Sequence, residues 1–131
     1  MPVSPMHPVP LAAIEAFPVA VWGPQGTTLK LSVRVANNHS NLYARFTDCG
    51  INPPPDQYAT HNLMDPEAVL APGGCMVLPF AEITWKQNAP AGFVWEDTLN
   101  MGLIMQQGEQ GPPATQEIYI FARYVAIVSS T

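Results

Sequence analysis

The stretch TLKLSVRV, residues 28–35, decides the fold, because its side chains alternate strictly between two chemical types. A period of two places every second side chain on one face of an extended chain, which predicts a half-buried β-strand. The apolar set is Leu29, Leu31, Val33 and Val35, and the polar set is Thr28, Lys30, Ser32 and Arg34. LYARFT (42–47) alternates in the same way after the turn-forming NNHSN. We therefore predict a hairpin over residues 28–47.

Further extended segments follow this stretch, and the 3.6-residue period of a helix never persists for three turns. CMVLPFAEITWKQ (75–87) changes phase near Ala81, which predicts a β-bulge, and Pro79 predicts an edge or interrupted strand. TLNMGLIMQ (98–106) places four apolar side chains on one face: Leu99, Met101, Leu103 and Met105. Three consecutive prolines make residues 49–68 a long connection. The predicted class is all-β, a single sandwich or flattened barrel of about 7–8 mostly antiparallel strands.

The segment EIYIFARYVAIV (117–128) is apolar or aromatic on both faces except at Glu117 and Arg123. A strand of this kind lies centrally between packed layers or at a subunit interface. Both alternatives place it at the centre of the predicted architecture.

The chain begins MPVSPMHPVP, with four prolines in ten residues. Such a segment favours polyproline II geometry, and Glu15 is the only formal charge before Lys30. We interpret residues 1–24 as an extended arm and residues 25–131 as the β-sandwich domain. The arm either packs on its own domain or, as we expect, lies across a partner, because stiff apolar segments lose little entropy on docking. The expected partner-binding residues are Val3, Met6, His7, Val9, Leu11, Ile14, Phe17 and Trp22.

Charged residues make up 11% of the chain, against about 25% in a typical soluble domain. Either a polar, uncharged surface compensates, or partner subunits cover much of it, which is the interpretation we favour. The five basic residues are dispersed, so we expect no nucleic-acid binding. No apolar run is long enough to span a membrane, and the prolines exclude an apolar signal-peptide core.

Candidate chemistry is sparse, and we expect neither catalysis nor a cofactor. Cys49 and Cys75 either form a disulfide or stay as free thiols, which we favour because intracellular chains usually keep their cysteines reduced. The neighbouring Asp48 would raise the pKa of Cys49. His7, His39 and His61 are spaced 32 and 22 residues apart, unlike the short spacings of metal sites, although one histidine on an oligomer axis would still be possible. The aromatic residues form either core and interface packing, which we favour, or a sugar-stacking platform: Trp22, Trp85, Trp95, Tyr43, Tyr58, Tyr119 and Tyr124.

The asparagine-rich turn in VRVANNHSN, LAPGG (70–74) before a strand, and the tryptophan strand ITWK resemble small Ig-like β-sandwiches. Together with the arm and the low charge, the chain resembles the capsid decoration, or cement, proteins of tailed bacteriophages. This resemblance implies a non-enzymatic virion protein, assembled in the host cytoplasm, that clamps major capsid or other virion subunits as a homo-oligomer, with a trimer favoured. The alternatives are a carbohydrate-binding or adhesin-like module and a tail or baseplate component.

Overall fold

The computed structural model describes residues 13–130, which form two β-sheets packed face to face. The strands are β1 (Ile14–Ala16), β2 (Val19–Gly23), β3 (Thr28–Asn37), β4 (Tyr43–Ile51), β5 (Ala59–Leu63), β6 (Ala68–Leu70), β7 (Cys75–Trp85), β8 (Val94–Gln106) and β9 (Ile118–Val128). The first sheet has the order β1-β3-β7-β5 and the second the order β2-β9-β8-β4-β6. Every pairing is antiparallel except that of β2 with β9. The predicted all-β sandwich is confirmed, with nine strands in the described residues. No helix of the described part is long and apolar enough to cross a membrane.

The core lies between the two sheets and is built by the predicted alternation. All four apolar residues of the stretch 28–35 are buried, as are the four predicted on β8. The largest fully buried side chains include Trp85, Tyr124 and Phe80. The predicted bulge is confirmed on β7, since Leu31 lies opposite Ala81 while Ser32 lies opposite Pro79. The extra residue, Phe80, lets two consecutive side chains, Phe80 and Ala81, enter the core.

The predicted hairpin over residues 28–47 is wrong. β3 belongs to the first sheet and β4 to the second, so the chain crosses between layers at residues 38–42. Asn37, at the end of β3, is fully buried, and its Nδ2 donates hydrogen bonds to the carbonyls of Leu42 (2.9 Å) and Leu70 (3.1 Å). Its Oδ1 accepts a hydrogen bond from the His39 amide. Asn37 therefore stabilises the crossover through its side chain. It does so without a left-handed backbone conformation, because no described non-glycine residue has a positive φ.

The connection predicted over residues 49–68 contains more structure than expected, because β5 lies within it and β6 begins at its last residue.

The predicted arm also contains strands: residues 14–16 and 19–23 belong to the sandwich. β1 pairs with β3, and β2 pairs with β9, so this part of the chain passes from the first sheet to the second. Residues 1–12 lie outside the described residues.

β9 lies between β2 and β8 in the second sheet, and only one of its faces packs against the first sheet. The predicted position between two packed layers is therefore wrong for the described residues, and the alternative, a subunit interface, stays a prediction. Ile120, Ala122, Tyr124, Ala126 and Val128 are buried between the sheets. The other face of the strand, with Tyr119, Phe121, Arg123, Val125 and Ile127, points away from the core. This outward set lies in the middle of the surface described next.

Candidate functional site

The outer face of β2, β9 and β8, which we call the aromatic face, carries apolar side chains in register across three strands. Ile127 lies opposite Trp22 on one side and opposite Val94 on the other, so the three form one cross-strand row. The next row joins Ala20, Val125 and Glu96. Farther along β9, Phe121 and Tyr119 lie beside Asn100 and Gly102 of β8. The aromatic face therefore extends over most of the length of β9.

The largest side chains of the aromatic face are strongly exposed: Trp22 by 67%, Phe121 by 64%, Tyr119 by 48% and Val94 by 46%. The outer face of the first sheet is more polar, because β3 presents Thr28, Lys30, Ser32 and Arg34 there, and β7 presents Glu82 and Thr84. Val77 of β7 is exposed on this face by 62%, but none of the described strands of this sheet carries an exposed phenylalanine, tyrosine or tryptophan. Antiparallel sheets exposed to water normally show such a polar outer face. A contiguous exposed apolar face is typical of an interaction surface.

One ion pair crosses the middle of the aromatic face. Arg123 Nη2 of β9 lies 3.4 Å from Glu96 Oε2 of β8, and both side chains are more than half exposed. Exposed pairs of this kind contribute about 0–1 kcal/mol to stability. Its significance lies in its position, because it gives an otherwise apolar surface one fixed pair of charges that a partner would have to match.

A polar corner borders the aromatic face at the start of β9. Glu117 accepts hydrogen bonds from the hydroxyl of Thr47 and from that of Tyr119, the second at 2.6 Å. These hydrogen bonds, Thr47 first and Tyr119 second, lower the pKa of Glu117, since both stabilise the carboxylate. The pKa of Tyr119 is raised by the same hydrogen bond and by the charge of Glu117. Tyr119 is thus held at the rim by a charged acceptor.

Of the eight predicted partner-binding residues, three lie in the described part of the chain. Trp22 belongs to the aromatic face, and Phe17, before β2, is 40% exposed. Ile14 is buried in the core of its own domain, so its side chain is not available to a partner in this fold. Val3, Met6, His7, Val9 and Leu11 lie outside the described residues. The expectation did not include Tyr119, Phe121 or Val94, although the two-sided pattern of 117–128 carried the signal for the first two.

The aromatic residues do not form a single sugar-stacking platform. Trp85 and Tyr124 are fully buried, and Trp95 is half-buried with its indole nitrogen donating to the Tyr124 hydroxyl at 3.0 Å. Trp22 and Tyr119 are exposed but far apart. Trp22 of β2 lies opposite Ile127 of β9, and Ile127 is eight residues from Tyr119, which is roughly 26 Å at 3.3 Å per residue. The Arg123–Glu96 pair lies between them. Core packing accounts for the buried rings, and the aromatic face for the exposed ones.

The two cysteines are free, as favoured from the sequence. Cys75 is exposed at the start of β7, whereas Cys49 is buried and its Sγ donates to the carbonyl of Met64 at 2.9 Å. The pKa of Cys49 is raised to about 11, first by burial and then by Asp65 and Asp48. The predicted effect of Asp48 is present but is not the largest. A thiol with this pKa is protonated near neutral pH and is a poor nucleophile.

The histidines have ordinary surroundings where the structure describes them. His39 Nδ1 accepts hydrogen bonds from the amides of Asn41 and Leu42 and so shapes the crossover after β3. His61 is exposed on β5, and His7 lies outside the described residues. Across residues 13–130, no group of three or more His, Cys, Asp or Glu side chains is placed to hold a metal ion.

Comparison with known proteins defines the class of fold. No protein-family model matches the chain, and no curated protein matches it. Among solved structures it is similar to the ASH/PapD-like domain of human CEP192 (PapD-like domain 7), with a TM-score of 0.53 and 9% identity, covering 100% of this chain and 95% of that one. It also matches a type I cohesin–dockerin complex from Clostridium thermocellum (TM-score 0.33, 12% identity, 88% and 94% covered) and a cohesin from the archaeon Archaeoglobus fulgidus (0.33, 10%, 87% and 91%). The first likeness shows the fold, a β-sandwich; the other two are too distant to add to it.

Proposed function

We propose that this protein is a non-enzymatic structural protein that binds neighbouring subunits of a larger assembly through its aromatic face. The single observation that carries the proposal is the contrast between the two outer faces of the sandwich. The first sheet presents a mainly polar surface with Val77 exposed on it, and the second presents large apolar side chains: Trp22, Phe121, Tyr119 and Val94. At protein interfaces a few residues, among which tryptophan and tyrosine are enriched, carry most of the binding energy.

The low charge of the chain supports the same function. Only 11% of its residues are charged, and an exposed apolar face adds to the tendency of such a surface to associate. A protein whose surface is covered in its working state needs few charges for solubility. The assembly we propose is a virion, in which the protein decorates the capsid of a tailed bacteriophage and contacts the major capsid protein.

In this assembly the sandwich and the arm have complementary roles. The aromatic face binds one surface, and residues 1–12 supply a second contact. Engaging two sites at once multiplies affinity, because the second binding event occurs at high effective concentration. A homo-oligomer, with a trimer favoured, would repeat these contacts around a local symmetry axis. The protein would then act as a cement, whose function is to resist separation of the subunits it bridges.

The test measures binding of purified protein to expanded, undecorated capsids assembled from the major capsid protein of the genome that encodes this chain. Phe121→Ser and Trp22→Ser should each weaken cosedimentation at least tenfold, since each removes an exposed anchor. Leu63→Ser is the matched control, because Leu63 is 42% exposed on β5 of the opposite sheet, and it should bind as wild type. Binding that ignores both anchors, or a genome without a capsid gene, would overturn the proposal. Binding to purified tails instead would support the baseplate alternative, and retention on a glycan array the carbohydrate-binding one.

A further inference from the structure

Among the described residues, strand β3 has no hydrogen-bonded strand along most of one edge. Its partner on that side, β1, pairs only with Val35, Ala36 and Asn37, although β3 begins at Thr28. The Phe17 amide donates to the carbonyl of Arg34 at 3.0 Å, which shows that the backbone of Arg34 is directed to this edge. By the alternation of an antiparallel ladder, the amides and carbonyls of Lys30 and Ser32 are directed the same way.

Strand β2 presents a second row of backbone groups beside this edge. The Ser129 amide donates to the carbonyl of Gly23 at 2.9 Å, so the backbone of Gly23 faces β9. The alternation of a parallel ladder then directs the backbone of Ala20 and Trp22 to the side away from β9. β2 is an edge strand of its sheet in the described residues. The open edges of the two sheets therefore lie on the same side of the sandwich.

Between these edges lie two adjoining depressions of about 340 and 390 Å³. They share Ala20, Val21 and Lys30 in their linings, and we call them together the edge groove. Apolar side chains form much of the lining, Lys30 and Arg34 are its charged residues, and no acidic residue lines it. A groove of this composition, bordered by backbone donors and acceptors, suits an extended, uncharged, apolar segment that adds to a sheet edge.

We propose that the edge groove binds residues 1–12 of a second copy of the chain. This segment, MPVSPMHPVPLA, has no acidic or basic side chain other than His7 and is rich in proline and apolar residues. Prolines 2, 8 and 10 share one phase, so in an extended chain their missing amides face away from the edge that carries the amides of Val3, His7, Val9 and Leu11. Proline is tolerated in an edge strand in this arrangement, and Pro5 is the residue that breaks the phase.

The position of Ala13 favours a second copy over the same chain as the source of the segment. β1 is antiparallel to β3, and the Asn38 amide donates to the carbonyl of Ala13, so the chain at Ala13 heads past Asn38 and away from Lys30. The eight residues from Asn38 back to Lys30 span roughly 26 Å at 3.3 Å per residue. Twelve residues in polyproline II geometry reach about 37 Å, and a reversal would consume part of that length. A neighbour's segment has its whole length available.

The proposal names how copies join each other and therefore deepens the proposed assembly. The edge groove shares Ala20 and Trp22 with the aromatic face, whereas Phe121 does not line it, so Phe121 separates the two surfaces. The test of the proposal is the mass of the full-length protein in solution over a range of concentrations. Ala20→Lys places a long charged side chain in the groove and should raise the dissociation constant for self-association at least tenfold. Two controls should leave it unchanged: Ala91→Lys, at an exposed position in the turn before β8, and Phe121→Ser, on the aromatic face but outside the groove.

A second pair of variants tests the arm without touching the sandwich. Val9→Pro removes an amide in the pairing phase and should weaken self-association, whereas Ser4→Pro removes one in the opposite phase and should not. The synthetic peptide MPVSPMHPVPLA, added in excess to full-length protein, should shift oligomers to monomers. Hydrogen exchange at the amides of Lys30 and Ser32 should be slow in the oligomer and fast in dilute monomer.

Two results would overturn the inference. A protein that stays monomeric while the Lys30 and Ser32 amides are protected would show that the same chain covers the groove. Oligomers that are indifferent to Ala20→Lys, Val9→Pro and the peptide would show that copies join through another surface, or that the groove takes an acidic partner. Capsid binding that depends on Phe121 would survive either outcome, so this inference and the proposed function fail separately.

Discussion

The indole nitrogen of Trp85, in the first sheet, donates a hydrogen bond of 3.2 Å to the carbonyl of Ile127, in the second. Trp85 is fully buried and its ring meets that of Phe93 edge to face, with centroids 6.0 Å apart. One side chain thus joins the sheets by packing and by a directed polar contact. The carbonyl that accepts this hydrogen bond is that of Ile127, whose side chain lies in the outer row with Trp22 and Val94. Trp85 on the inner side is therefore linked to the residue at the centre of that outer row.

Replacing Trp85 by phenylalanine should destabilise the fold by about 2–4 kcal/mol, because it removes buried volume and the hydrogen bond to the Ile127 carbonyl. Chemical denaturation followed by circular dichroism measures this change. Trp22→Phe is the matched control, since Trp22 is largely exposed, and it should shift the free energy of unfolding by less than about 0.5 kcal/mol. Equal losses in the two variants would contradict the role assigned to Trp85.

Asn37→Ala should destabilise the protein by about 3 kcal/mol or more, because it removes three hydrogen bonds at a fully buried position. The neighbouring Asn38→Ala offers the comparison, as Asn38 is exposed and donates to the exposed Glu15; its loss should be below about 1 kcal/mol. Thermal unfolding of both variants is the measurement. A mild effect at Asn37 would mean that the crossover between sheets does not depend on this side chain.

The two thiols should differ sharply in reactivity. At pH 8, Ellman's reagent should react quickly with Cys75, which is exposed, and with Cys49 only after denaturant is added, because Cys49 is buried and its pKa is raised to about 11. Cys75→Ser should abolish the fast phase. A second fast thiol in the native protein would refute the burial of Cys49.

The raised pKa of Cys49 also predicts how stability depends on alkaline pH. Below the pKa of the unfolded thiol, both states are protonated and the stabilising effect is complete. As the pH rises from about 9 to about 11, the unfolded thiol ionises while the folded one does not, so stability falls. Cys49→Ser keeps a donor for Met64 but does not titrate in this range. Its free energy of unfolding should therefore fall less between these pH values than that of wild type.

The pKa of Glu117 should rise toward its ordinary value in Tyr119→Phe, and rise further in Thr47→Val, because Thr47 contributes the larger of the two hydrogen bonds. A carboxylate with a lowered pKa stabilises the fold above its unfolded pKa, and this contribution is lost as the pH falls through the folded value. Carbon-detected NMR titration of the Glu117 carboxyl measures both shifts. Tyr43→Phe serves as the control and should leave the titration unchanged.

The alternation of side chains predicted which residues of a strand share a face, but it could not predict which strands pair. Alternation in residues 28–35 and 117–128 reports which side chains share a face, and those faces were found as predicted. The hairpin over 28–47 failed because alternation is blind to the sheet in which a strand pairs. Ile14 was misassigned for a related reason: an apolar residue beside prolines looks the same whether it contacts a partner or its own core.

What the sequence determined by itself was the fold class, the bulge near Ala81 and the two-sided character of β9, because each depends on local side-chain period and backbone stereochemistry. Only the tertiary structure decided that β3 and β4 lie in different sheets, that Trp22, Ile127 and Val94 form one row, and that β2 and β3 leave a groove between their edges. These features depend on which strands become neighbours. That choice is made by the packing of the whole core, with contacts such as Trp85 to Ile127 that join residues far apart in the chain.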